Sequence, residues 1–247
     1  MVAISWRLRF GVALCLVSAA LFVIHYTIFH DQVILTRDLF FLLSLTPITV
    51  VFTTLILDEL LQRRERQERL EKMNMVIGIF YSEIGVRLLR TIAREDPALD
   101  EIRKDLIVNS QWSVDDYDKV RERLKAHHFT VCPPVSDMAA IKQMLSSHRE
   151  LLVQLLENPI LLEHESFTDV LRSVFHLTEE LDYRQSLEGL PEHDYQHLCN
   201  DVSRAYGELA GQWLSYTGYL QANYPYLFSL SMRTNPFDLN ASPVVRE

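Results

Sequence analysis

Two long apolar runs near the N-terminus dominate the hydrophobic pattern of the chain. Residues 10–29 form a run of 20 without a formal charge if His25 is neutral, and residues 39–57 form another of 19. At about 1.5 Å rise per residue, each run can cross the roughly 30 Å hydrocarbon core of a bilayer as a helix. The short link between them, residues 30–38, makes the pair an antiparallel transmembrane hairpin.

Basic residues flank this hairpin unevenly. Arg7 and Arg9 precede the first run and only Arg37 lies between the runs, whereas five basic residues follow the second run within residues 58–72. Lys and Arg near span ends stay in the cytoplasm, so both termini are expected there and the chain is expected in the cell (inner) membrane. Cleavage of the first run as a signal peptide is the alternative, but the apolar run continues past the small residues at 18–20.

After residue 57 the pattern becomes that of a water-exposed helix and then of a buried one. Residues 58–72 hold five basic and five acidic residues and predict a charged juxtamembrane helix. Beyond it, apolar residues at three- and four-residue spacing share one face and others fill the remaining faces, which predicts a helix buried nearly all round. The first set is Leu70, Met73, Ile77, Phe80 and Ile84, and the second is Met75, Val76, Ile79 and Val86.

Helix-start and helix-stop signals divide the cytoplasmic part into five or six helices, and no alternating stretch predicts a strand. Ser113 and Asp116 have the spacing of a capping box that starts a helix over 114–127. Two prolines precede the next helix, which is expected over 137–157 with Asp137 or the serine before it as its cap.

The last predicted helix starts near Glu192 and ends in an uncharged stretch, 209–232, that carries six aromatic residues. Core packing and association with the membrane interface both fit this stretch, and its polar amides favour core packing. The final residues, 233–247, have two prolines and no periodicity, which predicts an extended or disordered tail. The predicted fold class is all-α: a transmembrane hairpin (1–57), a charged helix (58–72), a cytoplasmic helical domain (73–232) and the tail.

A stripe of small and polar residues runs along the predicted buried helix. With its neighbours it comprises Asn74, Gly78, Tyr81, Ser82, Glu83, Gly85 and Arg87. Two glycines inside a helix cost about 1 kcal/mol each relative to Ala, so a close contact should offset them. Another helix packing on the stripe would provide that contact, and a ligand or headgroup pocket lined by Asn74, Tyr81 and Glu83 is the alternative.

Hydroxyl side chains recur along the second apolar run. Ser44, Thr46, Thr49 and Thr53, together with Pro47, could line a path if hairpins oligomerise, which would make the chain a transport or channel component. Neither run contains Asp, Glu, Lys or Arg. Hydroxyl groups that bond their own helix are therefore the favoured interpretation.

Sequence motifs of catalysis and cofactor binding are missing. There is no G-x-S-x-G, Walker loop or G-x-G-x-x-G, so no catalytic residue and no cofactor is predicted. His193 and His197 have metal-ligand spacing on one helical face, with Glu192, Asp194 and Cys199 nearby, and are candidates for a membrane-bound metal enzyme. Surface histidines are the favoured interpretation, because a zincin would have Glu directly after the first His, where Asp194 stands. Cys15, Cys132 and Cys199 form no C-x-x-C pair, which predicts no disulfide framework and a reducing compartment.

The net charge of −9 is concentrated in the predicted cytoplasmic part, where 31 acidic residues face 21 basic ones after residue 57. Such a domain repels polyphosphate, so nucleic acid is excluded as the main partner. The expected partners are the lipid bilayer and a protein partner or a second copy of the chain. A large domain without a catalytic constellation fits a membrane-anchored interaction or regulatory module.

Two segments resemble parts of uncharacterised prokaryotic two-span membrane proteins with a cytoplasmic helical domain. They are residues 70–85 (LEKMNMVIGIFYSEIG) and 224–237 (YPYLFSLSMRTNPF). The resemblance covers about an eighth of the chain and implies the same plan of anchor and helical domain. It implies no activity and no catalytic residue.

Overall fold

The structure, a computed structural model, describes residues 16, 19–20, 23–24, 26–27, 32–162 and 164–245. These residues form helices, turns and loops, and none of them forms a strand. The all-α fold class expected from the sequence is therefore confirmed. The chain divides into two compact units, Met1–Arg66 and Gln67–Glu247.

Helix α1 covers Gln32–Phe80, and one π-helical turn, Tyr81–Gly85, connects it to α2, Val86–Arg94. The helices that follow are α3 (Leu99–Leu106), α4 (Val114–Ala126), α5 (Val135–Ser147), α6 (Arg149–Leu156), α7 (Pro159–Leu162), α8 (Glu165–Tyr183), α9 (Glu192–Asn223) and α10 (Pro225–Arg233). Nine helices thus follow α1 in the described ranges, more than the five or six expected, because several predicted helices are interrupted.

The first unit contains an exposed apolar stretch of α1. Side chains such as Ile48, Phe52 and Leu55 are more than 60% exposed there. Among the described residues, Leu45–Arg94 is the one helical stretch long and apolar enough to cross a membrane. This stretch includes most of the second predicted span.

The first predicted span, 10–29, lies largely outside the described residues. Helix α1 begins at Gln32, so residues 32–38 of the predicted link are helical. The reason is local, because these residues include no Gly or Pro that would stop a helix. The two-span hairpin stays a prediction.

In the second unit the core is built around α9, which packs antiparallel to α8. The Ser166 hydroxyl near the start of α8 donates to Gln212 at 3.1 Å, and Ser173 donates to Glu208 farther along. Aromatic side chains fill the centre, where Phe80 meets Phe167 edge to face with ring centroids 5.4 Å apart. Burial of these apolar surfaces is the main force that holds the unit together.

Local capping chemistry decides where several helices begin. The Ser113 hydroxyl and the Asp116 carboxylate form the capping box of α4, as the sequence predicts. Helix α5 begins earlier than expected, after Pro134, with no side-chain cap, so the predicted cap at Ser136 or Asp137 is wrong. The predicted helix over 137–157 is in fact two helices, because the chain leaves helical geometry at His148.

The last predicted helix is also two helices, since Tyr224 adopts a non-helical conformation before Pro225. Residues 233–245, the described part of the tail, are neither free nor extended throughout, which corrects the prediction of an extended or disordered tail. Asn235 donates from Nδ2 to the Leu106 carbonyl at 2.8 Å, and Phe237 is fully buried against Trp213. One aromatic side chain thus anchors a segment whose composition predicts disorder.

Cys132 and Cys199 form a disulfide with Cα atoms 4.6 Å apart, so the prediction of no disulfide framework is wrong, and the cysteines give no support for a reducing compartment. The loop before α5 lies along α9 and brings the two together. The Ser203 hydroxyl accepts from the Val131 amide at 2.9 Å, and Tyr195 donates to the Pro133 carbonyl. Spacing along the chain could not reveal this pairing, because 67 positions separate the two residues.

Candidate functional site

A groove of about 470 Å³ lies in the second unit between the end of α1 with its π turn and helices α9 and α10. Most of its lining is apolar or aromatic. The lining residues are Glu71, Asn74, Met75, Gly78, Ile79, Tyr81, Ser82, Val86, Trp213, Tyr216, Tyr219, Leu220, Tyr224, Tyr226, Leu227, Leu230, Ser231 and Thr234. We call this surface the aromatic groove.

Tyr81 forms the floor of the aromatic groove from the first position of the π turn. Its hydroxyl donates to the Leu209 carbonyl at 3.0 Å, and its ring stacks on Tyr216 with centroids 5.5 Å apart. Burial raises the pKa of both phenols, and it raises that of Tyr81 well above the usual range of tyrosine. Both side chains therefore stay neutral, and the floor presents aromatic carbon rather than charge.

Gly78 lets α9 approach α1 closely beside this stack. A Cβ atom at Gly78 would lie 2.6 Å from the Tyr216 hydroxyl oxygen, closer than real side-chain contacts allow. The small residue therefore makes room for an aromatic side chain of the neighbouring helix. Its helical cost is offset by packing.

The face of α1 that points away from the core carries exposed apolar side chains along the aromatic groove. Met75 is 70% exposed and Ile79 46% exposed, whereas Ile77 and Phe80 are buried. The prediction of a helix buried nearly all round is therefore wrong for the face that holds Met75 and Ile79. Clustered exposed apolar side chains of this kind mark binding surfaces in soluble domains.

The small and polar stripe predicted from the sequence is divided by the structure. Asn74, Gly78, Tyr81 and Ser82 line the aromatic groove, whereas Glu83, Gly85 and Arg87 do not. Gly85 is buried, and Glu83 and Arg87 are exposed.

The two stripe residues with polar side chains that line the aromatic groove, apart from Tyr81, already donate to carbonyls of α1. Asn74 donates to the Leu70 carbonyl at 2.9 Å, and Ser82 donates to the Ile79 carbonyl at 3.0 Å. A ligand with many polar groups would find few free partners among these residues. This side of the aromatic groove is therefore suited to an apolar ligand.

The α9 and α10 side of the aromatic groove was not identified from the sequence. Tyr216, Tyr219, Tyr224 and Tyr226 all line it. Burial, followed by the neighbouring Tyr224, raises the pKa of Tyr219 to about 12, so this phenol is also neutral. The available signal was the uncharged, aromatic-rich stretch 209–232, whose aromatic residues are divided between core and groove.

Two other groups of candidates lie outside the aromatic groove. The Thr46 and Thr49 hydroxyls donate to carbonyls one turn earlier in α1, at 2.7 and 3.0 Å, so they bond their own helix. His197 lies with Glu180 and Asp201 in a group of possible metal ligands. His193, its predicted partner, is exposed and does not belong to that group.

Two family models match the chain. One, described as uncharacterized protein MJ1433, C-terminal helical domain, matches residues 69–233, and the other, the MJ1433 N-terminal helical domain, matches residues 2–61. A relative from Methanocaldococcus jannaschii, described as uncharacterized protein MJ1433, is 39% identical over 238 residues, which are 96% of this chain and 95% of the relative. No solved structure matches the chain.

Proposed function

Because the chain belongs to the MJ1433 family, whose description names no activity, we propose its function from its own surface: a membrane-anchored interaction or regulatory module. Its aromatic groove holds an apolar helical segment of a protein partner. The observation that carries this proposal is the row of apolar side chains left exposed between α1 and the aromatic residues of α9 and α10.

The dimensions of the aromatic groove favour a helix as its occupant. Along α1, the π turn and the first residue of α2 it extends from Glu71 to Val86, which corresponds to about 22 Å at 1.5 Å per residue. That length accommodates about four turns of helix. An amphipathic helix binds such a surface through apolar side chains at i, i+3, i+4 and i+7, which needs few polar partners from the protein.

The membrane anchor rests on the apolar stretch of α1. Side chains such as Phe52 are exposed there, and a stretch of this kind is stable when lipid surrounds it. In our proposal residues 10–29 and 39–57 both cross the bilayer. The basic residues on either flank then keep both termini and the helical domain at the cytoplasmic face.

The proposal is tested by photo-crosslinking from the aromatic groove in native membranes. A photoreactive amino acid at Met75 or Leu230 should give an adduct with one defined protein, and the same probe at Tyr183, which is 84% exposed elsewhere, should not. Met75→Glu should abolish the adduct formed from position 230, because a carboxylate is costly to bury in an apolar interface. Val114→Glu, at a site 76% exposed, is the matched control and should leave it intact.

The identity of the adduct separates the possible occupants. A second copy of the chain in the adduct would make the module a homo-oligomer, and the proposal would stand with that partner. Adducts with lipid alone would contradict it. So would adducts that survive Met75→Glu unchanged, or a chain that is monomeric and without any partner in mild detergent.

A further inference from the structure

Two imidazoles and two carboxylates meet between α8 and α9, away from the aromatic groove. His176 and Glu180 are one turn apart on α8, and His197 and Asp201 are one turn apart on α9. Pairs at i, i+4 lie on one face of a helix, so the two faces converge where the antiparallel helices touch. Asp201 is 12 residues before Trp213, the first groove residue on α9, which is about 18 Å along the helix.

Three of these side chains, Glu180, His197 and Asp201, have ligand atoms within 4.8 Å of one another, and His176 Nε2 lies beside both carboxylates. Asp201 Oδ2 lies 3.4 Å from His197 Nε2 and 3.6 Å from His176 Nε2. Glu180 Oε2 lies 3.8 Å from His197 Nε2, and Glu180 Oε1 lies 4.0 Å from His176 Nε2. Ligand atoms at about 2.0–2.2 Å from a tetrahedral cation are themselves about 3.3–3.6 Å apart, so the four side chains would draw together around the cation, with His176 moving toward the other three.

Asp201 is the group that most needs a cation. Its side chain is only 1% exposed, and among the described residues neither carboxylate oxygen accepts a hydrogen bond, although Oδ1 is ion-paired with an arginine. Arg204 Nη2 lies 3.1 Å from Oδ1, whereas Oδ2 is the oxygen that faces both imidazoles. A buried carboxylate without hydrogen bonds is costly unless it is fully paired or bound to metal.

Arginines hold the carboxylates in position from outside the cluster. Arg184 Nη1 donates to Glu180 Oε2 at 2.7 Å, and the same guanidinium bonds Asp194 through Nε and Nη2. Metal-binding carboxylates are commonly oriented by such outer hydrogen bonds. When both imidazoles are neutral, the carboxylates of Glu180, Asp194 and Asp201 carry three negative charges, and Arg184 and Arg204 carry two positive charges. The remaining negative charge favours a bound cation.

We infer that His176, Glu180, His197 and Asp201 bind one divalent transition-metal cation, best matched by zinc, in a site that fastens α8 to α9. Imidazole nitrogen with carboxylate oxygen is a ligand set that zinc accepts. Four protein ligands leave no open position, so the site is structural. This inference differs from the sequence-based candidates, because His197 is joined by residues of α8 and not by His193.

Zinc titration of the full-length chain in mild detergent, after chelator treatment, tests this site. We expect one zinc per chain, with affinity reduced at least tenfold in His176→Ala and His197→Ala. Both histidines are about half exposed, so neither substitution empties the core. His193→Ala is the matched control and should bind zinc like the unmodified chain. Cobalt should give the strong visible absorption of tetrahedral coordination in the unmodified chain and lose it in His197→Ala.

Three outcomes would overturn the inference. They are failure of the unmodified chain to bind stoichiometric zinc, unchanged affinity in His197→Ala, and an equal loss in His193→Ala. Zinc should also raise the thermal midpoint of the unmodified chain and not that of His197→Ala. Met75→Glu should leave zinc binding unchanged, so the result is independent of the partner proposed for the aromatic groove.

Discussion

At the scale of single residues, Arg184 is the clearest electrostatic anchor of the domain. It closes the loop between α8 and α9 with two hydrogen bonds to the Asp194 carboxylate, at 2.9 and 2.7 Å, and two to Glu180, at 2.7 Å to its carboxylate and 2.6 Å to its carbonyl. These bonds hold the pKa of both carboxyls below the usual range. A carboxyl group whose pKa is lower in the folded state than in the unfolded state stabilises the fold at pH values above its unfolded pKa of about 4. This stabilisation is lost as the pH falls through the pKa of the folded state.

Arg184→Gln should therefore lower the stability of the chain most at neutral pH. The difference from the unmodified chain should shrink below about pH 4, where both carboxyls become protonated. Denaturant midpoints near pH 7 and near pH 3, measured in chelator to exclude metal effects, check this. Arg172→Gln is the control, since its contact with Asp169 is 3.5 Å long and well exposed, and it should change little at either pH. An equal loss at both pH values would contradict the electrostatic explanation.

Residue-level patterns in the sequence predicted what is local. The capping box of Ser113 and Asp116 depends on two side chains three positions apart, so spacing alone was sufficient. The disulfide of Cys132 and Cys199 and the convergence of His176 with Asp201 depend on how α8, α9 and the loop before α5 pack. Contacts between distant parts of the chain have no signature in a single sequence.

At the scale of elements, the glycines of α9 differ in what their small size permits. A Cβ atom at Gly207 would lie 2.8 Å from Phe129 Cδ2, whereas nothing lies within 4 Å of a Cβ atom at Gly211. The Phe129 ring also packs edge to face against Tyr206, with ring centroids 5.0 Å apart. The close packing of Phe129 therefore favours a glycine at position 207, whereas position 211 has room for a larger side chain.

Gly211→Ala should raise the free energy of unfolding by about 1 kcal/mol, the usual gain of Ala over Gly inside a helix. Gly207→Ala on the same helix should gain less or lose stability, because the Phe129 ring must move. Urea denaturation of the two variants beside the unmodified chain measures both values. Equal gains at the two positions would show that Phe129 does not restrict Gly207.

The sequence predicted the presence of helices more accurately than it predicted which of their faces are buried. Periodicity correctly placed Ile77 and Phe80 in the core, because a three- and four-residue spacing defines one helical face. Met75 and Ile79 carry similar apolar side chains but line the aromatic groove. Periodicity cannot separate a second buried face from an exposed binding face, since both consist of apolar residues.

At the scale of the whole molecule, the chain combines an exposed apolar helix with a helical unit that has its own core. Within the first unit, the described side chains of residues 45–57 are all exposed. The second unit contains the aromatic groove and the proposed metal site. Anchoring would concentrate the aromatic groove near membrane-bound partners, which is the advantage of an interaction module over a freely diffusing domain.

Membrane anchoring is tested most directly by fractionating cells that express the full-length chain. Alkaline washing should leave the chain in the membrane pellet, and protease added to inside-out vesicles should digest the helical domain, whereas the same protease on right-side-out vesicles should not. A chain recovered in the soluble fraction without detergent would contradict the proposal. So would a helical domain digested from the outer side.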